Sequence, residues 1–597
     1  MKEIIRNVTL ALLIGGLIAA CNMNSDEKVS QKAIDWPSYG NDYTSQRFST
    51  AQQINTENVK DLTLAWQHNS GVVASFQTAP IVQQGIMYFS LPYNHVVAVD
   101  ATNGKELWRY EHERRKDWKM CCGPQNRGVA VSDGKVFIGT VDARLVALDA
   151  RNGTKVWDID VVDAAISREG QETLSQDDPN KARKVTGGTG IGIGMAPVVY
   201  KGKVIIGITG VGYGLHIDNP RDDAPLGAVI GVAGRFGRPG FLAAFDVNDG
   251  QRVWQFDTIP TTGWEGDFTV TTADGITLDR DIAAEKADLE KYPDAASLGG
   301  GSAWSTPAID SQHDILYFGT GNPSPQMNDV SRPGDNLYTV SLIALDTNTG
   351  ELKWHYQQVP HDLWGYDLAS PPVLFDFQQD GKTIPAVGQA GKTGWFYIHN
   401  RLTGELLLKS EAFVPQKNMF AKATFEGTVL YPGILGGSNW SPVSVDPDKQ
   451  LTFVAGIHSP IKYTLHETAA KDGNPAIRYA SSEPTDDPSW GLLSAINLTT
   501  GKIAWQNKTD QPLVGGSLAT AGGLVFMGEG NGNFNAYNSQ TGELLWQTKS
   551  TYGVNAPPIS YTVDGVQYIA VASGGNRIMG FKEGDAMLAY KLKDASN

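Results

Sequence analysis

The strongest constraint on this chain is a short pattern that returns along its length. An apolar run ends in Asp or Asn, a Gly follows four residues later, and a Trp stands eight residues after the Asp or Asn. The copies are Asp100, Gly104 and Trp108; Asp149, Gly153 and Trp157; Asp246, Gly250 and Trp254; Asp346, Gly350 and Trp354; Asn497, Gly501 and Trp505; and Asn538, Gly542 and Trp546. A seventh, Asn400 to Gly404, keeps the turn and carries Leu408 where the Trp would be. Asp, Asn and Gly supply the left-handed turn conformations that join antiparallel strands, so each copy predicts a hairpin. A large ring at a fixed place beyond the turn is suited to packing between neighbouring units. Units that cannot bury their faces alone must stack, which predicts a repeat architecture.

A further strand pair precedes most turns, as in Gly85 to Ser90, Gly134 to Gly139, Gly202 to Gly207 and Gly523 to Gly528. That makes about four strands per unit, the make-up of a propeller blade. Seven turns and a closing unit over 558–581, completed by the strand around 62–67, predict an all-β, eight-bladed β-propeller with Trp-docking repeats. The high Gly and Pro content, 66 and 30 residues, agrees with many strands joined by tight turns. Insertions at 161–184, 216–237 and 264–299 interrupt the spacing and are expected to gather on one face, where such loops commonly build a site. One domain over 35–590 accommodates all of this.

The ends and the charge say where such a ring would work. Lys2 and Arg6 precede an apolar run over 8–20, too short to span a bilayer, so 1–20 reads as a secretory signal. Ile18-Ala19-Ala20-Cys21 is similar to a bacterial lipobox, which makes Cys21 the candidate lipidation site and 21–34 a tether, with the body on the periplasmic side. The net charge of −15 carries no basic stripe, so nucleic acid is not an expected partner. Besides Cys21 the only cysteines are the neighbours Cys121 and Cys122, which either pair with each other or stay as thiols. A bond between neighbours strains the backbone, because Cα atoms ~3.8 Å apart lie below the usual disulfide range.

The repeat and the adjacent cysteines together resemble the quinoprotein alcohol dehydrogenases, eight-bladed propellers that hold pyrroloquinoline quinone (PQQ) on the axis beside calcium or a lanthanide. The likeness runs from Trp36-Pro37-Ser38-Tyr39-Gly40 to Phe581. It implies that Cys121 and Cys122 form a disulfide over one face of the quinone and that Arg127 binds a cofactor carboxylate, a role its fork suits. By the same likeness Ser302 and Trp304 support the other face, Asn322 ligates the metal, Lys392 polarises a quinone oxygen, and Thr209, Gly210, Asn439 and Trp440 contact the cofactor.

The departures are equally specific. The family's catalytic Asp falls on Gly365, in Trp364-Gly365-Tyr366-Asp367, and its metal-binding Glu falls on Gly212. Gln77 stands for a cofactor-contacting Glu and Gly194 for a Thr. Glycine has no group that accepts a proton. Asp367 matches a second Asp of lanthanide-dependent members, which makes it the candidate metal ligand and base, with Asp362 behind it. The expected function is therefore a PQQ dehydrogenase acting on a small alcohol or sugar, with an external cytochrome or quinone as electron acceptor, since no Cys-x-x-Cys-His is present. The alternative is a propeller with lost or altered catalysis that binds a ligand or partner protein.

Overall fold

The computed structural model describes residues 34–113, 124–162, 192–208, 239–293, 295–324, 326–327, 329, 332–468 and 477–593. The signal segment, Cys21, Cys121, Cys122, Thr209, Gly210 and Gly212 lie outside the described residues.

Eight antiparallel blades of four strands follow one another along the chain, and Phe48–Ser49 adds a fifth, parallel strand to one of them. Blade 1 runs from Ile81–Gln83 to Glu106–Tyr110, blade 2 from Ala130–Ser132 to Lys155–Asp160, blade 3 from Val198–Tyr200 to Arg252–Asp257, and blade 4 from Ala308–Asp310 to Leu352–Gln357. Blade 5 runs from Val373–Gln379 to Leu406–Lys409, blade 6 from Ser444–Asp446 to Ile503–Thr509, and blade 7 from Leu518–Thr520 to Leu544–Lys549. Blade 8 takes three strands from the C-terminal end, Ile559–Val563, Val566–Ser573 and Gly584–Leu592, and its outer strand from the N-terminal end, Leu62–Ala74. This pairing of the two ends closes the ring as the spacing predicts, and closure removes the open edges that an unclosed sheet would present. First strands of neighbouring blades touch one another, so they surround the axis.

The recurrent turn explains its own residues. In every copy the Gly N–H donates to the Asp or Asn carbonyl at 2.8–2.9 Å, and the Gly φ lies between +70° and +80°, a region that strains any residue with a Cβ. The Asp or Asn side chain accepts the N–H two residues on, for example Thr102 N–H on Asp100 at 2.8 Å, which holds the turn shut.

The Trp is the inter-blade bond. Trp108 Nε1 donates to Ala150 O at 2.9 Å in the next blade, Trp254 to Thr347 O at 3.0 Å, Trp354 to Arg401 O at 3.0 Å and Trp505 to Ser539 O at 3.0 Å. The turn glycine of that next blade lies flat under the ring, so a Cβ on Gly153 would stand 2.4 Å from Trp108. Trp66, which precedes the first turn and belongs to no copy of the pattern, docks blade 8 onto Ala101 O at 3.0 Å. Only at the junction of blades 5 and 6 is the ring missing, and there Gly501 packs on Leu408.

Two features were not legible in the repeat. The segment 34–49 lies along the first strands and is bonded to seven of the eight blades, in ring order from blade 8. Thr562 N–H donates to Ile34 O at 2.8 Å, Val82 to Trp36 O at 2.9 Å, Ile309 to Tyr43 O at 2.8 Å, Leu374 to Thr44 O at 2.8 Å, Val445 to Gln46 O at 2.8 Å and Ala519 to Arg47 O at 3.1 Å. Tyr43 OH adds blade 3 through Val199 O at 3.0 Å. The Arg47 guanidinium, fully buried, donates to Tyr39 O, to Pro558 O at 2.5 Å and to Ser517 O at 3.1 Å, which satisfies a charge that would otherwise be costly inside a protein. The second feature is a three-stranded sheet, Thr428–Leu430, Ile461–Thr468 and Ile477–Pro484, set beside blade 6. It lies on the same face as the insertion over 264–299, because the one extends from a link between a blade's second and third strands and the other links one blade to the next.

Candidate active site

The segments that lead into first strands and the segments that leave second strands meet at this one face of the axis. The first kind supplies Arg127, Ser302, Trp304, Asp367, Asn439 and Trp440. The second supplies Asn322 and Lys392. A proline stands immediately before the first strand in five blades, at Pro80, Pro197, Pro307, Pro372 and Pro558, where a missing N–H breaks no ladder. Three residues earlier in four of these come Gln77, Gly194, Trp304 and Asn555. That offset was a signal by which Asn555 could have been found from sequence.

A buried ion pair anchors the site. Lys392 Nζ donates to Asp367 Oδ2 at 2.8 Å and to Gly365 O at 2.8 Å. The other carboxylate oxygen of Asp367 accepts the Asn322 backbone N–H. Gly321 allows this approach, since a Cβ there would stand 3.1 Å from both Asp367 Oδ1 and the Ser302 nitrogen. The lysine stem is clamped in turn: a Cβ on Gly436 would lie 2.3 Å from Lys392 Cγ, and Gly437 N–H donates to Lys392 O at 2.6 Å. The Asn322 side chain donates to Pro323 O at 3.0 Å, and Asn439 donates to Leu435 O at 2.9 Å while accepting the Trp440 N–H.

The second cation is Arg127. Its guanidinium lies 4.9 Å from the Trp304 ring centre and 5.1 Å from that of Trp440, a cation–π placement on two rings at once. It donates to Gly194 O at 3.1 Å. Its Nε, together with Gln77 Oε1 and both polar atoms of Asn555, is buried and has no partner among the described residues. Buried polar atoms are normally paired, and an unpaired one costs about 1–3 kcal/mol. Such orphans on the axis mark where a polar ligand belongs.

Gly365 is more than a missing carboxylate. Its φ is +79°, and a Cβ would fall 2.3 Å from Gln326 Nε2 and 2.8 Å from Ile434 Cγ1. The backbone and its neighbours are thus arranged for glycine. Asp362, the weaker candidate from sequence, is fully buried and accepts the N–H groups of Trp364, Gly365 and Tyr366 at 3.2, 2.9 and 3.1 Å. Burial pushes its carboxyl up to about 6, against the pull of those backbone donors. It holds the loop in shape from within. Tyr366 OH and Tyr463 OH tie the same loop down through Pro432 O at 2.8 Å and Trp364 O at 2.9 Å. Gln326, Ile434, Gly436 and Tyr463 enter the site from distant positions with no motif of their own.

The residues present fit PQQ. A flat, multiply carboxylated quinone matches an indole face at Trp304 or Trp440, the Arg127 and Lys392 cations, and the unpartnered amides of Gln77 and Asn555. They fit a metal poorly. No three His, Cys, Asp or Glu side chains come together among the described residues, whereas calcium takes roughly six to eight oxygens. The sole carboxylate at the point where one is expected, Asp367, is already held by Lys392 and Asn322.

These features define a class: an eight-bladed propeller with a buried, cation-bearing site on its axis. The description of one family, the PQQ glucose/ethanol/alcohol dehydrogenase β-propeller domain, matches residues 36–419 and 413–569. A quinohemoprotein alcohol dehydrogenase of Comamonas testosteroni is 34% identical over 577 residues, spanning 92% of this chain and 73% of that protein. The structure of a quinohemoprotein alcohol dehydrogenase of Pseudomonas putida superposes with a TM-score of 0.75 at 29% identity, covering 94% of this chain and 81% of that one. A europium-containing methanol dehydrogenase gives 0.74 at 26% identity, covering 95% and 99%. The chain belongs to the PQQ dehydrogenase β-propeller family.

Proposed function

We propose that this protein is a PQQ-dependent dehydrogenase that oxidises the CH–OH group of a small alcohol or sugar. The observation that carries this reading is the buried Lys392–Asp367 pair set beside Arg127, Trp304 and Trp440, on a chain whose relatives are named alcohol dehydrogenases. Bound PQQ supplies a two-electron acceptor for hydride. Arg127 would hold a cofactor carboxylate, and the indoles would fix the ring plane. Lys392 would place positive charge at a quinone oxygen. Asp367 is the carboxylate at hand to take the hydroxyl proton, with its charge balanced by the same lysine. Electrons would leave to an external cytochrome or quinone. Cys21 would anchor the body on the periplasmic side, which Cys21→Ser tests by loss of membrane retention and of fatty-acid labelling.

Titrating the purified protein with PQQ, followed by dye-linked assays on alcohols and sugars, tests the reading. Saturable one-to-one binding with substrate-dependent dye reduction is the expected outcome. The glycine conformation at position 365 favours one alternative, a propeller that binds a ligand without turning it over. Binding without any dye reduction would select that alternative, and no binding would reject the cofactor itself.

A further inference from the structure

We infer that the Lys392 ammonium stands in place of the metal ion, so that this site takes its quinone cofactor without calcium or a lanthanide. The inference rests on the PQQ reading and deepens it. A metal at Asp367 would have to bind a carboxylate whose Oδ2 lies 2.8 Å from Lys392 Nζ and whose Oδ1 already accepts the Asn322 N–H. Two cations on one carboxylate repel strongly in a buried site. The ammonium cannot step aside cheaply. Its stem is pressed against Gly436, its main chain is bonded to Gly437, and its third contact is Gly365 O at 2.8 Å.

Charge bookkeeping points the same way. Gly365, Gly212 and Gln77 each put an uncharged residue where the resemblance expects a carboxylate. Three negative charges absent from the site compensate the absence of a divalent or trivalent cation. Among the described residues that the site brings together, Arg127 and Lys392 are two cations able to meet a polyanionic quinone, against the carboxyl groups of Asp367 and, beneath it in the loop, Asp362.

The test uses the full mature chain dialysed against a chelator. PQQ is titrated in chelator, in calcium and in lanthanum, followed by quinone absorbance and binding heat, and metal content is then measured by mass spectrometry. The expected result is a Kd unchanged within about twofold across the three conditions, with far less than one metal per chain. A tenfold or greater tightening by either metal, or one bound metal per chain, overturns the inference. Lys392→Met is expected to lose at least tenfold in PQQ affinity in chelator, and an unchanged affinity would equally overturn it. If PQQ binds under no condition, the dehydrogenase reading fails, and the inference is decided by metal alone. Calcium or lanthanum titrated into the wild-type protein should then give no saturable heat, and a saturable one-site isotherm would sink it.

Discussion

The rim and the axis of this ring obey different rules. At the rim one small device, a glycine turn lying under the previous blade's indole with an N–H bonded across, recurs at six of the eight junctions; Leu408 replaces the indole between blades 5 and 6, and Trp546 meets Leu62 O without a glycine turn where blade 8 closes the ring. On the axis the equivalent places in four blades hold four different residues, Gln77, Gly194, Trp304 and Asn555. Arg127 Nε, Gln77 Oε1 and Asn555 there have no partner among the described residues. Repetition builds stiffness. Departure from repetition, on the frame that stiffness provides, builds a site.

Perturbing each region should separate stability from binding. Gly153→Val forces a side chain into a left-handed backbone and into the Trp108 ring, and should cost about 3–5 kcal/mol of stability. Its melting temperature should fall steeply while PQQ affinity in the folded fraction is kept; an equal loss of both would mean that rim and axis are coupled. Arg127→Ala should do the reverse. Affinity measured by calorimetry should fall on the order of 100-fold, with the melting curve of the apo protein nearly unmoved.

Asp362 lies between the two regimes. Its carboxyl, raised from 3.8 to about 6 by burial, binds a proton more tightly in the folded chain than in the unfolded one. Between those values the native state holds more protons, so its contribution to stability is greatest below about pH 4, declines as pH rises to 6, and is level above. The amount is roughly 3 kcal/mol. The stability difference between wild type and Asp362→Asn, followed by denaturant titration across pH 4–6.5, should therefore shrink with rising pH; a constant difference would show that the loop cap does not titrate there. The smallest effect is expected from Leu408→Trp, which supplies the missing indole opposite Gly501. If its N–H reaches the Leu498 carbonyl, as the other junctions do, the gain is at most about 1 kcal/mol, read as a slight rise in melting temperature. A loss would show that this junction has repacked around leucine.

Much of the site was legible as positions but not as an arrangement. Arg127, Trp304, Lys392, Asn439 and Trp440 each carry a local motif, and the fold places them on one face. That Asp367 is clasped by Lys392 could not be read, because the two are joined only when the loop before blade 5 meets the end of its second strand. Gln326 and Ile434, which fill the space over Gly365, come from separate insertions without periodicity. The conformation of Gly365 turns an apparent deletion into a built feature, and φ is not written in a one-letter code.

The amino-acid sequence by itself determined the hairpins, the blade count and the partners of each turn, because those contacts join residues a few places apart and repeat. The pairing of the two ends was legible from the spacing, whereas the tertiary structure alone decided that the 34–49 segment lies along the first strands and ties the blades together. It alone decided that Lys392 pairs with Asp367 as well. Contacts between residues hundreds of positions apart form only after closure has brought eight blades to one centre, and the buried Lys392–Asp367 pair is worth forming only in the desolvated space that closure creates.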